Sequence, residues 1–159
     1  KDVYAIGDVT GIPYLAHRAS AQAEVAVDNI LGHRKPAADN YPTAIFSAIE
    51  IGTVGMTEDQ AKEEYGEIHT GEFPYIASGR AQAGDETDGF VKFVSTMDGV
   101  VVGVHIAGDC ASELVSAATL IVKNKLTVDR LEEIVFAHPT LSEMLKESAL
   151  DLFGNAVHK

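Results

Sequence analysis

The sequence predicts an α+β domain with a mainly antiparallel sheet and flanking helices. Candidate strands are grouped in the middle of the chain, where β-branched residues occur with a period of two. Candidate helices are grouped at the carboxyl-terminal end, where apolar residues recur every three or four positions. A group of strands followed by a group of helices is typical of this fold class.

The composition limits the classes of function. The chain has 159 residues, of which 46% are hydrophobic, so it can bury a core. Its 12 basic and 24 acidic residues give a net charge of -12, which repels nucleic-acid phosphates and anionic lipids. We therefore expect no nucleic-acid partner and no membrane partner. Cys110 is the single cysteine, the apolar runs are too short to cross a bilayer, and no signal peptide is recognised. Together these three features predict a cytoplasmic protein.

The amino-terminal segment predicts a strand, a loop and a helix. Residues 3–6 (VYAI) have the composition of a short buried strand, which Gly7 and Asp8 would end. A helix is predicted over residues 14–31, because its apolar positions, mostly alanine, share one face. The chain begins with lysine and enters this strand at once, so we expect it to be a fragment of a longer protein.

A linker is predicted next, at residues 33–42, which are polar and contain two prolines. It separates two predicted regions, residues 1–36 and residues 37–159. The second region carries the sheet and the later helices.

Five strands are predicted in the second region, at residues 44–50, 52–55, 68–76, 89–95 and 100–107. Asp98 and Gly99 predict a hairpin between the last two, as the central residues of a type I′ turn. Thr57 and Gln60 predict a capping box at the start of a helix that ends near Tyr65.

Three further helices are predicted to close the chain, at residues 111–123, 128–135 and 141–153. Each carries apolar residues at helical spacing. Thr127 is the predicted cap of the second of these helices.

The segment FAHPTLSE, residues 136–143, contains a candidate acid–base pair. The imidazole of His138 can move protons near neutral pH, and Pro139 fixes a tight turn, because a His-Pro bond can be cis. Glu143 in the following helix can accept a hydrogen bond from one ring nitrogen and so select the tautomer. Thr140 and Glu143 would also form a capping box without any catalytic role, and a single histidine before a helix is more often a surface residue. Spacing alone leaves both interpretations open.

A second candidate site lies in YAIGDVTGIPYLAHRA, residues 4–19. Asp8 follows the predicted strand, and the helix start near Leu15 and Ala16 presents backbone N–H groups. Together they suit a polyol and a polarised carbonyl oxygen. The alternative is that Gly7 and Asp8 are only a turn. The other histidines show no ligand spacing, so no metal site is predicted.

Five stretches spread over the chain carry a family resemblance: VYAIGDVTGIPYLAHRASAQAEVA, GTVGMTEDQAKE, ASGRAQAGDETDGFVKFV, GVHIAGDCASELVSAA and AHPTLSEMLKESAL. Together they resemble the carboxyl-terminal part of the FAD-dependent pyridine nucleotide-disulfide oxidoreductases. HPTLSE and SGRA are most similar to the dihydrolipoamide dehydrogenase subfamily. The resemblance implies the end of the flavin-contacting region for residues 1–36 and the family's dimerisation (interface) domain for residues 37–159.

Roles for the candidate residues follow from this resemblance. His138 would be the catalytic base and Glu143 its partner. The pair would deprotonate dihydrolipoamide, so that the thiolate attacks a redox disulfide beside the flavin of the other subunit. NAD would be the final acceptor. Asp8 would bind the ribityl chain of FAD, and the helix start at Leu15 and Ala16 would meet the flavin ring.

The sequence departs from the family pattern at two places, which bear on the fine tuning of the catalytic site and on the choice of subfamily. Phe136 stands where a second histidine is frequent, and residues 47–50 read Ser-Ala-Ile-Glu instead of Thr-His-Pro-Glu.

The chain lacks the family's cysteine pair and its Gly-x-Gly-x-x-Gly fingerprints. We therefore expect the isolated chain to be inactive, to retain no FAD and to dimerise. The intact enzyme would be a homodimer that serves the lipoyl domain of a 2-oxo acid dehydrogenase complex. The alternatives are a stand-alone dimerising module without catalysis and a disulfide reductase similar to glutathione reductase.

Overall fold

The structure, a computed structural model, describes residues 3–159, which form two compact units divided after Tyr41. In the first unit, a 3-10 helix (Gly7–Thr10) precedes α1 (Ala16–Ile30). The N–H of Gly7 donates a hydrogen bond to Gln22 Oε1 over 2.7 Å, and the Arg18 guanidinium donates to the Pro13 carbonyl over 2.9 Å. The loop before α1 is therefore tied to the helix at both of its ends.

The predicted strand over residues 3–6 is wrong. These residues have irregular backbone, and Val3 is 89% exposed. A strand is stable only when a neighbour satisfies its N–H and C=O groups, and residues 3–41 contain no other strand that pairs with it. The apolar composition of residues 3–6 does not reveal whether such a partner strand exists.

The second unit, Pro42–Lys159, contains a five-stranded sheet in the order β1-β2-β5-β4-β3. Its strands are β1 (Thr43–Ile45), β2 (Ile51–Gly55), β3 (Ile68–Pro74), β4 (Phe90–Thr96) and β5 (Val101–Ala107). Every neighbouring pair is antiparallel, which confirms the predicted α+β class. The predicted hairpin joins β4 to β5, but its turn type is different. The N–H of Gly99 bonds the Thr96 carbonyl over 2.9 Å, so Asp98 and Gly99 are not both central residues.

Five helices belong to the second unit: α2 (Glu58–Tyr65), α3 (Gly79–Gly84), α4 (Ala111–Lys123), α5 (Val128–Glu132) and α6 (Glu143–Asp151). α2 has the predicted capping box between Thr57 and Gln60. α3 was not predicted, because it is six residues long and has glycine at both ends. Its cap is Ser78, whose hydroxyl accepts a hydrogen bond from the N–H of Ala81.

Five predicted elements are shorter in the structure. The helix predicted over 14–31 is observed as Ala16–Ile30, and the strand predicted over 68–76 as Ile68–Pro74. The strand predicted over 44–50 ends early because the Ser47 hydroxyl donates to the Ile49 carbonyl over 2.6 Å and bends the chain. α5 ends at Glu132, where Lys146 Nζ bonds the last carbonyl over 2.7 Å. Thr127 precedes α5 but makes no side-chain capping bond. α6 begins two residues later than predicted, at Glu143.

One face of the sheet is covered by α4 and α6 and holds the core. Its buried side chains include Val54, Phe73, Val91, Phe93, Val104 and Ile106 from the strands, Leu114, Val115 and Ala118 from α4, and Met144, Leu145 and Ala149 from α6. Thr53, Glu72, Lys92 and His105 stand between these residues and are exposed or half-buried, as expected for a half-buried sheet, whereas Val94 and Ser95 near the end of β4 are buried as well. The burial of α6 holds the segment that begins with Glu143 firmly against the sheet.

Gly71 on β3 allows α6 to approach the sheet closely. A Cβ at this position would lie 2.4 Å from the Ser148 carbonyl oxygen and 2.5 Å from the Leu152 nitrogen. The buried Ser148 hydroxyl lies 3.1 Å from the Gly71 carbonyl oxygen and 2.8 Å from that of Val91. α6 is therefore hydrogen-bonded to two adjacent strands.

No helix within residues 3–159 combines the length and the apolar character needed to cross a membrane.

Candidate active site

His138 lies on the irregular segment that joins α5 to α6. The peptide bond between His138 and Pro139 is cis, and four residues separate the histidine from Glu143, the first residue of α6. Pro139 has no N–H and a fixed φ, so it suits a turn ahead of a helix. The segment brings the imidazole back to the amino-terminal end of α6.

Glu143 holds both the imidazole and the turn. His138 Nδ1 lies 2.9 Å from Glu143 Oε1, and the N–H of Thr140 donates to Glu143 Oε2 over 2.8 Å. The Thr140 hydroxyl donates instead to the Ala137 carbonyl over 2.7 Å, so only half of the predicted capping box is formed. One carboxylate oxygen therefore fixes the turn before α6 and the other contacts the histidine, so Glu143 makes both a structural contact and the contact that a catalytic role requires.

The environment of Glu143 favours its ionised form. Partial burial opposes ionisation, but the hydrogen bonds from the Thr140 N–H and from His138, with the nearby imidazole of His158, together hold the Glu143 pKa below its ordinary value of 4.5. An anionic Glu143 selects the His138 tautomer with hydrogen on Nδ1, which leaves Nε2 as the proton acceptor. The His138 side chain is 78% exposed, so a reactant can reach that nitrogen.

A cavity of about 210 Å³ opens beside this pair. Its apolar lining includes Phe73 from β3 and Met144 from α6, and Ser78 and Gly79 contribute at the start of α3. The cavity thus places the exposed imidazole of His138 beside an apolar wall, which suits a thiol on a hydrocarbon chain.

A second histidine–glutamate pair lines the same cavity and was missed in the sequence. His158 Nδ1 lies 2.8 Å from Glu147 Oε1, and both residues border the cavity. His158 shows no ligand spacing in the sequence. The four-residue spacing of Glu143 and Glu147 places both carboxylates on one face of α6, but no pattern in the sequence brings His158 to them.

The residues of the second candidate site lie in the first compact unit. Asp8 is exposed within the 3-10 helix, and its carbonyl accepts the N–H of Gly11 over 3.0 Å. Leu15 is the extended residue that precedes α1, and Ala16 is the first helical residue. An exposed carboxylate and the amino-terminal end of a 15-residue helix are therefore present in one unit. His138 and Glu143 belong to the other unit.

Cys110 is a poor candidate for the reactive sulfur. It precedes α4 with a positive φ of 59°. Burial, its contact with Asp109 and the nearby Glu50 and Glu113 raise the pKa of the thiol above 9.0, so little thiolate is present near neutral pH. Across residues 3–159, no cluster of histidine, cysteine, aspartate and glutamate has an arrangement that could hold a metal ion.

Comparison with known proteins shows the family. Residues 41–149 match the family model described as pyridine nucleotide-disulphide oxidoreductase, dimerisation domain. The chain is 40% identical to dihydrolipoyl dehydrogenase of Bacillus subtilis (strain 168) over 99% of this chain and 34% of that protein. It is 43% identical to the Halobacterium salinarum protein of the same name, again over 99% and 34%. The chain thus spans about a third of the length of these curated relatives.

Solved structures have the same fold. LpdA from Mycobacterium tuberculosis superposes with a TM-score of 0.85 at 30% identity, covering 92% of this chain and 32% of that one. The HOCl-induced flavoprotein disulfide reductase RclA from Escherichia coli gives a TM-score of 0.84 at 26% identity, covering 93% and 35%. The family model, the relatives and these structures agree with the resemblance carried by the sequence motifs. The chain belongs to the pyridine nucleotide-disulphide oxidoreductases, and residues 41–149 are their dimerisation domain.

Proposed function

We propose that this chain supplies the catalytic base and the dimerisation surface of a dihydrolipoyl dehydrogenase, which oxidises dihydrolipoamide to lipoamide with NAD as acceptor. The observation that carries the proposal is the 2.9 Å contact between His138 Nδ1 and Glu143 Oε1 beside an apolar cavity. The identity of about 40% to dihydrolipoyl dehydrogenases supports the choice of substrate.

The proposed proton transfer uses His138 directly. Nε2 accepts the proton of one dihydrolipoamide thiol, and the thiolate then attacks one sulfur of a disulfide and displaces the other as a thiolate. Glu143 stabilises the imidazolium that forms and keeps the ring oriented. His138 returns this proton to the displaced thiolate and then accepts the proton of the second substrate thiol. The second thiolate attacks the mixed disulfide and releases the cyclic lipoamide disulfide, and return of the second proton leaves two enzyme thiols. Reoxidation of these thiols transfers two electrons, which FAD, when bound, relays to NAD.

The disulfide must come from outside this chain, because Cys110 is its single cysteine. We place it in the partner subunit of a homodimer, so that each active site uses residues of both subunits. Exposed apolar side chains in the dimerisation domain, such as Phe46 (78%) and Leu120 (65%), support an interface between copies.

The first unit fits one part of a flavin site. The exposed carboxylate of Asp8 is a suitable acceptor for hydroxyl groups of the ribityl chain. The amino-terminal end of α1, at Leu15 and Ala16, offers backbone N–H groups and a partial positive charge to a polarised carbonyl oxygen. We assign these residues to the end of the flavin-contacting region, predicted to cover residues 1–36. The lipoyl domain of a 2-oxo acid dehydrogenase complex is the proposed source of the substrate arm.

Steady-state kinetics of the full-length protein test this function. His138→Gln removes the base while keeping a polar side chain of similar size, and should lower kcat for dihydrolipoamide with NAD by about 100-fold or more. Glu143→Gln should lower it by a smaller factor, because the base remains but its orientation and charge partner are lost. His33→Gln is the matched control, since His33 also contacts a carboxylate, that of Asp28, over 3.3 Å.

The alternatives predict different results. A reductase similar to glutathione reductase would prefer glutathione disulfide over lipoamide in the reverse assay. A dimerising module without catalysis would show no turnover with any disulfide. Near-parental turnover of the His138→Gln protein would remove the catalytic assignment.

A further inference from the structure

The carboxyl-terminal residues are fixed to α6 by Glu147. Its Oε2 accepts hydrogen bonds from the N–H of Val157 over 2.8 Å and of His158 over 3.2 Å, while Oε1 lies 2.8 Å from His158 Nδ1. One carboxylate thus holds two successive backbone amides and the following ring.

The burial of Glu147 makes this contact more than a surface ion pair. Its side chain is only 10% exposed, whereas that of His158 is 72% exposed. A carboxylate with so little access to water needs hydrogen-bond donors from the protein, and in this structure the chain end supplies them. Glu147 and residues 157–158 therefore hold each other in place.

The contacts with Glu147 place the imidazole of His158 at the wall of the cavity that His138 also lines. The cavity is bordered by both histidines and by the two glutamates of α6 that hold them. The apolar lining from Phe73 and Met144 belongs to the same cavity. A ligand entering here meets one imidazole held by Glu143 and another held one helical turn further along by Glu147.

We propose that His158 is a positioning residue for the dithiol substrate, held at the wall of the His138 cavity by Glu147. This rests on the proposed function, because the substrate is the one assigned there. His138 takes the proton, and His158 offers a hydrogen bond to a polar group of the substrate arm, such as its amide. Residues 157–158 are therefore part of the binding site and affect substrate affinity rather than the chemical step.

Kinetics and hydrogen exchange of the full-length protein test the proposal together. His158→Ala should raise KM for dihydrolipoamide about 3- to 10-fold, the loss expected for one hydrogen bond, with kcat within about twofold of the parent. Glu147→Ala should have the same kinetic effect and should also speed amide exchange of Val157 and His158 by about tenfold or more. His33→Ala is the control for removal of an exposed histidine paired with a carboxylate, and it should change none of these values.

Several outcomes would overturn the proposal. Amides of Val157 and His158 that exchange freely in the parent protein would show that the chain end is not docked. A normal KM in His158→Ala with protected amides would show that the docked ring does not contact substrate. A loss of kcat as large as that of His138→Gln would make His158 a catalytic residue instead. A parent protein that does not turn over dihydrolipoamide would reject the proposed function as well, whereas an unchanged KM in an active parent rejects only this inference.

Discussion

Replacement of Gly71 by alanine tests the close contact between α6 and the sheet. A Cβ at this position would lie 2.4 Å from the Ser148 carbonyl oxygen and 2.9 Å from the Asp151 carbonyl carbon, both backbone atoms of α6. Ordinary contacts of a Cβ begin near 3.4 Å. The helix must therefore move away from β3 by about 1 Å, since 3.4 Å minus 2.4 Å is 1.0 Å, or the strand must move by the same distance.

The free-energy cost of this movement depends on the atoms that surround Gly71. The atoms in the way are backbone, so no side-chain rotation can relieve the contact, and the helix carries Met144, Leu145 and Ala149 in the core. Overpacking of a tight core costs about 1–3 kcal/mol, and we expect Gly71→Ala to lie at the upper end, about 2–3 kcal/mol. The same displacement would move Glu143, so the full-length enzyme should also lose activity, because about 1 Å of misplacement can cost roughly 100-fold in rate.

Urea unfolding followed by circular dichroism measures the effect on stability. Gly84→Ala is the control, because no atom lies within 4 Å of its added Cβ. It should change the free energy of unfolding by less than about 0.5 kcal/mol. If Gly71→Ala were as stable as this control, the close packing of α6 on β3 would be refuted.

Two further predictions concern buried serines and acid stability. Ser148 and Ser95 are both fully buried, but the Ser148 hydroxyl bonds two carbonyls while that of Ser95 has no partner. Ser148→Ala should therefore cost about 1–2 kcal/mol in thermal or urea unfolding, and Ser95→Ala should be neutral or stabilising; the reverse order would contradict the hydrogen-bond assignment. Hydrogen bonds from Lys62 and Lys92 lower the Glu58 pKa to about 2 from 4.5, so this group contributes its full stability above pH 4.5 and loses it as the pH falls toward 2. Discounted for its partial exposure, Glu58→Gln should cost about 1 kcal/mol at pH 7 and much less at pH 2, and an equal cost at both values would argue against the ionised cluster.

The sequence predicted those parts of the fold that depend on local pattern. β4, β5 and α4 were placed within one residue of their observed ends, because alternation and helical spacing are strong there. The predicted strand at residues 3–6 was wrong because a strand needs a neighbour, which composition does not reveal. α3 was missed because a six-residue helix with terminal glycines has no measurable periodicity. The ends of other elements depend on tertiary contacts that the sequence does not reveal, such as the contact of Lys146 with the last carbonyl of α5.

The candidate site was predicted unevenly. The spacing of His138 and Glu143 made a contact between them possible, and the family resemblance implied it. The structure brings the two side chains together, because a proline turn and the first turn of a helix fix both locally. Glu147 and His158 are 11 residues apart along an irregular chain end, so no local period joins them. The second pair can be recognised only from the structure, in which residues 157–158 contact α6.

Stopped-flow absorbance of the full-length His138→Gln protein separates its two half-reactions and so tests directly whether His138 is the base. If His138 is the base that activates the substrate thiol, reduction of the enzyme by dihydrolipoamide should slow by about 100-fold or more, while reduction by NADH should stay within about twofold of the parent rate. Reduction by dihydrolipoamide at the parental rate would show that His138 is not the base that activates the substrate thiol.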